Sequence, residues 1–464
     1  LSSSSGDEEK FIFLKDLDNL QIENLSSIKN FNEYKFQIDR RNLGILCDSG
    51  VIPYPDTIYE NLKALTCGEK LSVNTETKEI NNFENFIFYR KNSLQKKFSA
   101  KEFEEVFFES IYRKIETKKN SILFLSGGKD SSAIALAMCK LDIKDNLHTI
   151  TYRASKNDES SIASHIAKNL NLSNEIIDLN TYKVEDELLV KFFSSQIFPC
   201  LDLCSTFYLH CGLEKYSNYN LIDGMGNDLY IGHIPNRTEL VVAFLQGKIP
   251  YFFKDIIGKF KRSKKLFMIG EKTRIEMVGL WTYLSKYNLI NELCPLKYRK
   301  NIWRSKDLQL SNLDYLDLRA HIRGKYIDVS KFIRKVKNAA NLYNMHTCLP
   351  WTDNKLANYI FNLSDDELFN RKILQNKLFL RNYLTKNLNI DYFKAQKYTF
   401  NYDFSKFVID NKEFLKETIL CSNLFEKKNL QKIYYESENS KNYGCLYQLF
   451  LICGWYKFSN YIER

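Results

Sequence analysis

The stretch Ser121-Ile-Leu-Phe-Leu-Ser-Gly-Gly-Lys-Asp-Ser-Ser132 decides the fold of this chain. Its apolar residues 122–125 predict a buried strand, its two glycines predict a tight turn, and residues 133–140 predict a helix. The first turn of such a helix offers unpaired backbone N–H groups to an anion. The stretch therefore predicts a phosphate-binding loop, although the spacing of a Walker A loop is absent. The alternative is an ordinary strand–turn–helix with a Ser or Asp cap.

The residues of this loop have candidate roles in binding a nucleotide. Gly127 and Gly128 lack Cβ atoms, so the backbone can turn sharply and approach a phosphate. Asp130 can hold Mg²⁺, which prefers carboxylate oxygen. The candidates for binding ATP and pyrophosphate in the loop are Ser126, Gly127, Gly128, Lys129, Asp130, Ser131 and Ser132.

The string Ser-Gly-Gly-x-Asp-Ser resembles the pyrophosphate loop of the N-type ATP pyrophosphatases, a superfamily that cleaves ATP to AMP and pyrophosphate. Four further stretches follow in the order found in one branch, the asparagine synthetases. They are an acidic pair before a helix, a Gly-x-Gly-x-Asp string, a Pro-aromatic-x-Asp string and a late lysine, at residues 157–170, 221–232, 348–353 and 393–400. This shared order is more specific than any one motif. The resemblance implies ATP and Mg²⁺ as cofactors.

The resemblance also implies roles for residues outside the loop. Asp228 is expected to be the second Mg²⁺ ligand beside Asp130. Gly224 and Gly226 are expected to let the backbone close on the nucleotide. Tyr152 stands at the end of the second predicted strand, which the resemblance places beside the adenosine.

The late lysine, Lys397, lies in a string that resembles the family's Arg-x-Lys-x-Gly-Phe. The resemblance implies that it neutralises the pyrophosphate and the developing charge of the transition state. A surface lysine in a solvated helix is the alternative. The predicted catalytic residues are therefore Lys397, Asp130 and Asp228.

The chain departs from asparagine synthetases at residues that border the acceptor pocket. Those enzymes carry a glutamate between the two glycines, where this chain has Met225, which cannot accept a proton. Their Glu-x-Arg before the proline reads His346-Thr-Cys here. The candidates for the substrate pocket are Met225, His346 and Asp353. We expect acceptor chemistry that differs from asparagine formation, or a base supplied from elsewhere.

The alternation of motifs predicts an α/β fold in which helices cover both faces of a parallel sheet. Strands and helices are expected to alternate at residues 122–125, 133–140, 147–152, 160–170 and 174–179. Ligands of such sheets bind at the carboxyl ends of the strands. The resemblance implies an ATP-pyrophosphatase domain, adenine nucleotide alpha hydrolase-like, with a helical C-terminal extension.

We expect a small β-rich N-terminal domain over residues 1–95 and the ATP-pyrophosphatase domain over residues 96–464. Within the second domain, residues 233–325 are expected to form a basic helical insertion and residues 326–464 a helical part. The first domain resembles a truncated glutaminase. The family's glutaminase needs an N-terminal cysteine, and the chain begins at Leu1. We therefore expect no glutamine hydrolysis, so that nitrogen arrives as ammonia or as an amine.

Composition bounds the class of protein. Apolar residues make up 44% of the 464 residues, and the eleven cysteines show no regular spacing. No run of about 18 apolar residues is present to span a bilayer. These features predict a soluble protein of a reducing, cytoplasmic compartment, without a membrane partner. The net charge of +11 reflects lysines spread along the chain, apart from the basic stretch 257–306, a candidate for binding nucleic acid.

The resemblance implies an enzyme that adenylates a substrate carboxylate with ATP and passes it to an amine. The expected setting is modification of a specialised metabolite or peptide, as in β-lactam synthetases and lasso-peptide cyclases. Its partners would be a small-molecule or peptide carboxylate, an amine acceptor and, as a further hypothesis, a protein that supplies the substrate. Two alternatives stay open. One is asparagine synthesis from aspartate and ammonia, and the other is a tRNA-modifying or nucleic-acid-binding protein, favoured by Lys129 and the basic stretch.

Overall fold

The structure is a computed structural model of the chain. It describes residues 35–65, 93–153, 159–179, 183–226, 241, 273–287, 289–370, 372–394 and 402–463. It also describes the backbone of four strands, at residues 10–16, 19–24, 70–73 and 80–83.

The N-terminal part contains two small antiparallel sheets and a helix. The strands are β1 (Lys10–Asp16), β2 (Asn19–Asn24), β3 (Leu62–Ala64), β4 (Lys70–Val73) and β5 (Ile80–Phe83). Strand β1 pairs with β2 and β3, and β4 pairs with β5. Helix α1 (Arg40–Ser49) begins after Asp39, which caps it, and ends at Gly50 in the left-handed conformation. The predicted extent of this part as a domain, residues 1–95, stays a prediction.

A parallel sheet of five strands forms the centre of the fold. Its strands are β6 (Ser121–Phe124), β7 (Leu147–Arg153), β8 (Ser173–Asp178), β9 (Asn220–Ile222) and β10 (His346–Cys348). They lie in the order β10-β9-β6-β7-β8, and every neighbouring pair is parallel. The helices before and between them are α2 (Ala100–Lys114), α3 (Lys129–Lys140), α4 (Ser160–Asn169) and α5 (Asp186–Ser194). The predicted α/β fold with a parallel sheet is confirmed.

Helices dominate the rest of the described chain. They are α6 (Leu289–Leu293), α7 (Leu296–Gln309), α8 (Tyr315–Ile322), a π-helix (Arg323–Ile333), α9 (Arg334–Leu342), α10 (Asn354–Phe361), α11 (Asp365–Leu368), α12 (Leu378–Leu388), α13 (Phe404–Asp410), α14 (Lys412–Leu420), α15 (Lys427–Asn439) and α16 (Tyr443–Phe458). Two short strands, β11 (Phe369–Asn370) and β12 (Gln375–Asn376), pair between α11 and α12. Over these described ranges, no helix is both long and apolar enough to cross a membrane.

The edge strand β10 lies inside the region that the sequence predicts to be helical. It pairs in parallel with β9, so that His346 lies opposite Asn220 and Cys348 opposite Ile222. Three residues are too few to show an alternation of apolar and polar side chains, so the pattern did not predict this strand. Its position beside β9 brings the following segment, residues 349–353, to the same edge of the sheet as the Gly-x-Gly turn.

Alternate side chains of β6 enter two different hydrophobic cores. Ile122 and Phe124 belong to the larger core, which the C-terminal helices share, and Leu123 belongs to a second core together with residues of α2 and α3. Successive side chains of a strand point to opposite faces of its sheet. Strand β6 is therefore covered on both faces, and the loop that follows it emerges from a buried strand at the centre of the sheet.

Candidate active site

The loop between β6 and α3 has the strand–turn–helix form that the sequence predicts. Gly127 adopts a positive φ of 75°, and a Cβ atom there would lie 2.9 Å from the Glu159 carbonyl oxygen. The N-cap of α3 is Gly128, which has no side chain that could bond the first N–H groups of the helix. The geometry is therefore that of a glycine turn leading into a helix N-terminus, where anions bind in proteins.

The serine hydroxyls of the loop divide into two groups. Ser126 and Ser131 lie together, with their Oγ atoms 3.1 Å apart, and Ser131 Oγ accepts a hydrogen bond from the Ser126 N–H at 3.2 Å. Ser132 donates to the Gly128 carbonyl at 2.7 Å, and Ser131 donates to the same carbonyl at 3.3 Å. Lys129 is buried. Of the predicted loop residues, Ser126 and Ser131 thus offer hydroxyls at the turn itself.

The Asp130 carboxylate is bound by a lysine that lies 247 residues further along the chain. Lys377 Nζ is 2.8 Å from Oδ1 and 2.7 Å from Oδ2 of Asp130. The Lys377 side chain is 2% exposed, whereas that of Asp130 keeps 23% of its surface exposed. The Trp351 indole also donates to the Asp130 carbonyl, at 3.2 Å. A fixed, buried positive charge therefore stands behind a carboxylate that remains open to solvent.

Arg381 adds a second cation from the same helix end. It lies one turn after Lys377 and donates from Nε to the Asn376 carbonyl at 2.8 Å and from Nη1 to the Tyr392 carbonyl. Burial lowers the pKa of Arg381, and the nearby Asp130 charge opposes that shift. Neither cation was among the predicted site residues. Their spacing of four does not mark a shared helix face, because Lys377 is the N-cap of α12 and has a left-handed conformation.

The turn after β9, residues 223–226, packs against the loop. A Cβ atom on Gly224 would lie 3.1 Å from the Ser131 nitrogen and 3.3 Å from the Asp130 Cβ. Gly226 has a φ of 106°, and a Cβ atom there would overlap the Thr352 Cγ2 methyl. Both glycines are thus required by close backbone approach, which joins the turn to the phosphate loop and to the segment after β10.

A family model described as asparagine synthase matches residues 102–444. This match spans most of the chain and includes the loop, the Gly-x-Gly turn and Lys377. The chain belongs to the asparagine synthase family. A search among curated proteins gave no match. Membership in the asparagine synthase family makes the chain a biosynthetic, ATP-binding ligase of the amide-forming kind.

Two predicted residues of this asparagine synthase domain lie outside the described residues. Asp228, the predicted second Mg²⁺ ligand, follows the last described residue of the Gly-x-Gly turn by two positions. Lys397 lies between residue 394, where one described range ends, and residue 402, where the next begins. Their roles stay predictions. Asp130 borders the loop and keeps part of its side chain exposed, as a Mg²⁺ ligand would require.

The structure does not bring His346 to the carboxyl edge of the sheet, where the pocket was predicted. His346 is the first residue of β10, level with Asn220 at the start of β9. Its Nε2 lies 3.0 Å from the Lys114 carbonyl oxygen, and its Nδ1 lies 3.2 Å from the Glu116 carboxylate. The pairing register therefore places this side chain at the amino edge of the sheet, at the opposite end of the strands from the loop.

The Asp353 carboxylate is engaged by the fold. Arg113 binds it through two hydrogen bonds, Nη2 to Oδ1 at 2.7 Å and Nε to Oδ2 at 2.9 Å. Asp353 also caps α10 by accepting from the N–H groups of Lys355 and Leu356. These bonds hold α2 against the start of α10. In this arrangement Asp353 is an anchor of the segment after β10 rather than a free carboxylate.

The Tyr152 ring lies near the carboxyl end of β7 and faces the larger core. Its centroid is 4.2 Å from that of Phe207, in an edge-on arrangement, and 5.3 Å from that of Phe124. Burial raises the pKa of the Tyr152 hydroxyl well above its ordinary value. The side chain therefore packs in the larger core below the carboxyl edge of the sheet. Its predicted contact with adenosine stays a prediction.

Replacing Gly226 by alanine should lower the free energy of unfolding by about 1–3 kcal/mol. The φ of 106° is one that residues with a side chain rarely adopt, and the added methyl would overlap Thr352. Urea denaturation of the wild type and of Gly226→Ala would measure the change.

The double variant Gly226→Ala/Thr352→Ser separates the overlap from the backbone strain. Serine lacks the Cγ2 methyl but keeps the hydroxyl that donates to the Leu349 carbonyl at 2.7 Å. We expect the double variant to regain part of the stability that Gly226→Ala loses, and Thr352→Ser alone is the reference. An unchanged denaturation midpoint in Gly226→Ala would contradict the packing described here.

Proposed function

We propose that this asparagine synthase family member adenylates a substrate carboxylate with ATP and transfers the acyl group to an amine. The observation that carries the proposal is the pairing of buried Lys377 with Asp130 beside the glycine loop. An N–H-lined helix start, a carboxylate and a fixed cation are what a departing pyrophosphate requires. All three occur at the carboxyl edge of the sheet, where ligands of α/β folds bind.

In the first step, an oxygen of the substrate carboxylate attacks the α-phosphorus of ATP, and pyrophosphate leaves. The N–H groups at the start of α3 and the hydroxyls of Ser126 and Ser131 would bind phosphate oxygens. Asp130, with Asp228 as the second candidate ligand, would hold Mg²⁺. The positive charge of the ion would offset the negative charge of the phosphates. From its place behind Asp130, Lys377 would offset the negative charge of the departing pyrophosphate, and Lys397 is the second cation proposed for this role.

In the second step, an amine attacks the acyl-adenylate and AMP leaves, so that an amide forms. The adenylate is needed because a free carboxylate is a poor acyl donor. The substrates that we propose are a small-molecule or peptide carboxylate and an amine acceptor, with a partner protein as a means of presenting the peptide. Met225 supports this choice, since it replaces the carboxylate that asparagine synthetases carry between the glycines.

Asparagine synthesis from aspartate and ammonia is the second candidate, because the family match itself favours it. The nucleic-acid alternative has less support from the described residues. Lys129 of the loop is buried, and so are Arg299 and Trp303 of α7, so these three side chains face the interior. Residues 257–272 of the basic stretch lie outside the described residues.

A cytoplasmic location is part of the same proposal. None of the cysteines that the structure describes forms a disulfide bond. Thiols that stay reduced are typical of proteins that work in a reducing compartment.

The test is the formation of AMP and pyrophosphate from ATP–Mg²⁺ by the purified protein. Three separate additions discriminate the substrates: aspartate with ammonium, aspartate with glutamine, and a fractionated extract of the source organism. AMP that appears only with extract would support a specialised ligase, whereas AMP with aspartate and ammonium would indicate asparagine synthesis. Failure of all three additions to give AMP and pyrophosphate together would overturn the proposal.

A further inference from the structure

The proposed amide-forming step needs a proton acceptor, and the Gly-x-Gly turn lacks one between its glycines. An amine loses a proton when it becomes an amide nitrogen, and a positioned side chain can accept that proton. The thioether of Met225 cannot. The nearest described carboxylate along the chain is Asp223, the first residue after β9 and two residues before Met225. The inference drawn from it rests on the proposed function.

Asp223 is placed at the edge of the sheet where the loop lies. It precedes Gly224, whose backbone approaches Ser131 and Asp130 of the loop and helix α3 so closely that a Cβ atom would be crowded. Its side chain is buried and accepts two hydrogen bonds, from the Met225 N–H at 3.0 Å and from the Tyr208 hydroxyl at 3.2 Å. Each carboxylate oxygen has a second lone pair, so these two bonds leave acceptor capacity.

A buried lysine of helix α9 acts on Asp223 through its charge. Lys335 is 5% exposed, and its Nζ lies 3.3 Å from Oδ1 of Asp202. Asp202 is fixed in turn, because the same oxygen accepts the Cys204 N–H at 2.9 Å. The charges of Lys335 and Asp223 interact, and burial of Lys335 is outweighed by these carboxylates and nearby thiols, so that its pKa rises. Lys335 therefore remains a cation, bound to Asp202 and interacting with Asp223 through its charge.

The groups around Asp223 shift its pKa in opposite directions. Burial raises its pKa to about 6, and the charge of Asp130 adds to the rise. The Lys335 ammonium, the Met225 N–H and the Tyr208 hydroxyl favour the carboxylate and limit the rise. A carboxylate balanced in this way suits a base that works near neutral pH.

We propose that Asp223 is the carboxylate that receives the amine nucleophile in this site and takes up the proton that the amine loses. The amine binds in its neutral form, with one N–H directed to Asp223. Its lone pair forms the bond to the acyl carbon, the bond between that carbon and the adenylate oxygen breaks, and AMP leaves with the electron pair. The N–H proton passes to Asp223. Lys335 and Tyr208 are positioning residues, since they act through Asp223.

Asp223→Asn tests the proposal, because asparagine keeps the shape of the side chain. Its amide oxygen can still accept the Met225 N–H, and its NH₂ group can donate to the Tyr208 oxygen. Two activities are measured in the presence of the carboxylate substrate that supports wild-type turnover. They are ATP–pyrophosphate exchange, which reports adenylation alone, and amide formation with ammonium chloride or hydroxylamine as the probe amine.

We expect exchange in Asp223→Asn to stay within about 3-fold of wild type and amide formation to fall about 10²–10⁴-fold. Undiminished amide formation would overturn the proposal. An equal fall in both activities would also overturn it, because Asp223 would then serve adenylation or folding. Absence of exchange in the wild type would overturn the proposed function and, with it, this inference.

Tyr208→Phe is the second variant. It leaves the Asp223 carboxylate in place and so tests the proposal even if Asp223→Asn does not fold. Loss of the hydrogen bond from Tyr208 should raise the pKa of Asp223. The acid limb of the pH profile for amide formation should therefore move to higher pH, while the profile for ATP–pyrophosphate exchange stays in place. A merely structural role of Asp223 would move both profiles or neither, which would contradict the proposal.

Discussion

Replacing Asp130 by asparagine is expected to reduce AMP formation from ATP–Mg²⁺ at least about 10³-fold. The asparagine side chain fills the same volume, and the Trp351 indole bonds the backbone carbonyl of residue 130, which the substitution keeps. What disappears is the negative charge that we expect to hold Mg²⁺ and that pairs with Lys377. Quantitation of AMP and pyrophosphate under saturating ATP would measure the loss.

Asp145→Asn provides a matched control for this variant. Asp145 is exposed and lies in the 3-10 turn Lys144–Asn146, which follows the opposite end of helix α3. The same chemical change there should leave AMP formation within about 2-fold of wild type, since surface substitutions away from special features have small effects. Turnover retained by Asp130→Asn at the level of Asp145→Asn would remove the metal assignment.

The second large effect is expected from Lys377→Met. Methionine has a similar length and no charge, so it leaves Asp130 without its buried partner. Breaking a buried ion pair from one side is destabilising, and the partial exposure of Asp130 reduces the effect, so we expect a loss of about 2 kcal/mol in the free energy of unfolding. We also expect AMP formation to fall about 10²–10³-fold, because the fixed positive charge for the departing pyrophosphate is lost.

A double variant distinguishes these two consequences of Lys377→Met. Asp130→Asn/Lys377→Met carries neither charge, so its stability should return toward that of the wild type while its activity stays as low as that of Asp130→Asn. Lys355→Met is the surface control, since Lys355 pairs with Glu109 at an exposed position. Recovery of AMP formation together with stability would contradict both the metal role of Asp130 and the role of Lys377 toward pyrophosphate.

The strand–turn–helix form of the loop could be predicted from the sequence because the signals for it are local. A strand of apolar residues, a glycine with positive φ and a helix start lie within twelve residues, from Ser121 to Ser132. The glycines at residues 224 and 226 also stand out in the sequence, but the contacts with Ser131 and Thr352 that call for them are tertiary. The parallel order of the sheet followed from the alternation of strand and helix.

Lys377 was missed because its partner lies 247 residues away and no local pattern marks a buried lysine. The chain adopts a left-handed conformation at Lys377 that an ordinary helix-start pattern does not indicate. His346 was misplaced for a related reason. Its sequence neighbourhood resembles the pocket segment, but the register of β10 against β9 decides which edge of the sheet a residue reaches, and register is a tertiary property.

Contacts between the two predicted domains are another long-range feature that the sequence patterns do not show. Residues 36–64 share the larger hydrophobic core with helix α16, and the Phe36 N–H donates to the Tyr461 carbonyl at 2.9 Å. The Tyr59 hydroxyl likewise donates to the Ile197 carbonyl. Hydropathy patterns show that these residues are buried but not what they pack against. The N-terminal part is therefore joined to the synthetase core by contacts that composition alone could not predict.

The most direct measurement follows oxygen from the carboxylate to AMP. The carboxylate substrate that supports AMP formation is labelled with ¹⁸O at its carboxyl group and incubated with the protein and ATP–Mg²⁺. The AMP that forms is then analysed by mass spectrometry. If the carboxylate attacks the α-phosphorus, one ¹⁸O atom must remain on each AMP when the amine displaces it. AMP that carries no ¹⁸O would show that the substrate carboxylate never bonded to that phosphorus, and adenylation would be excluded.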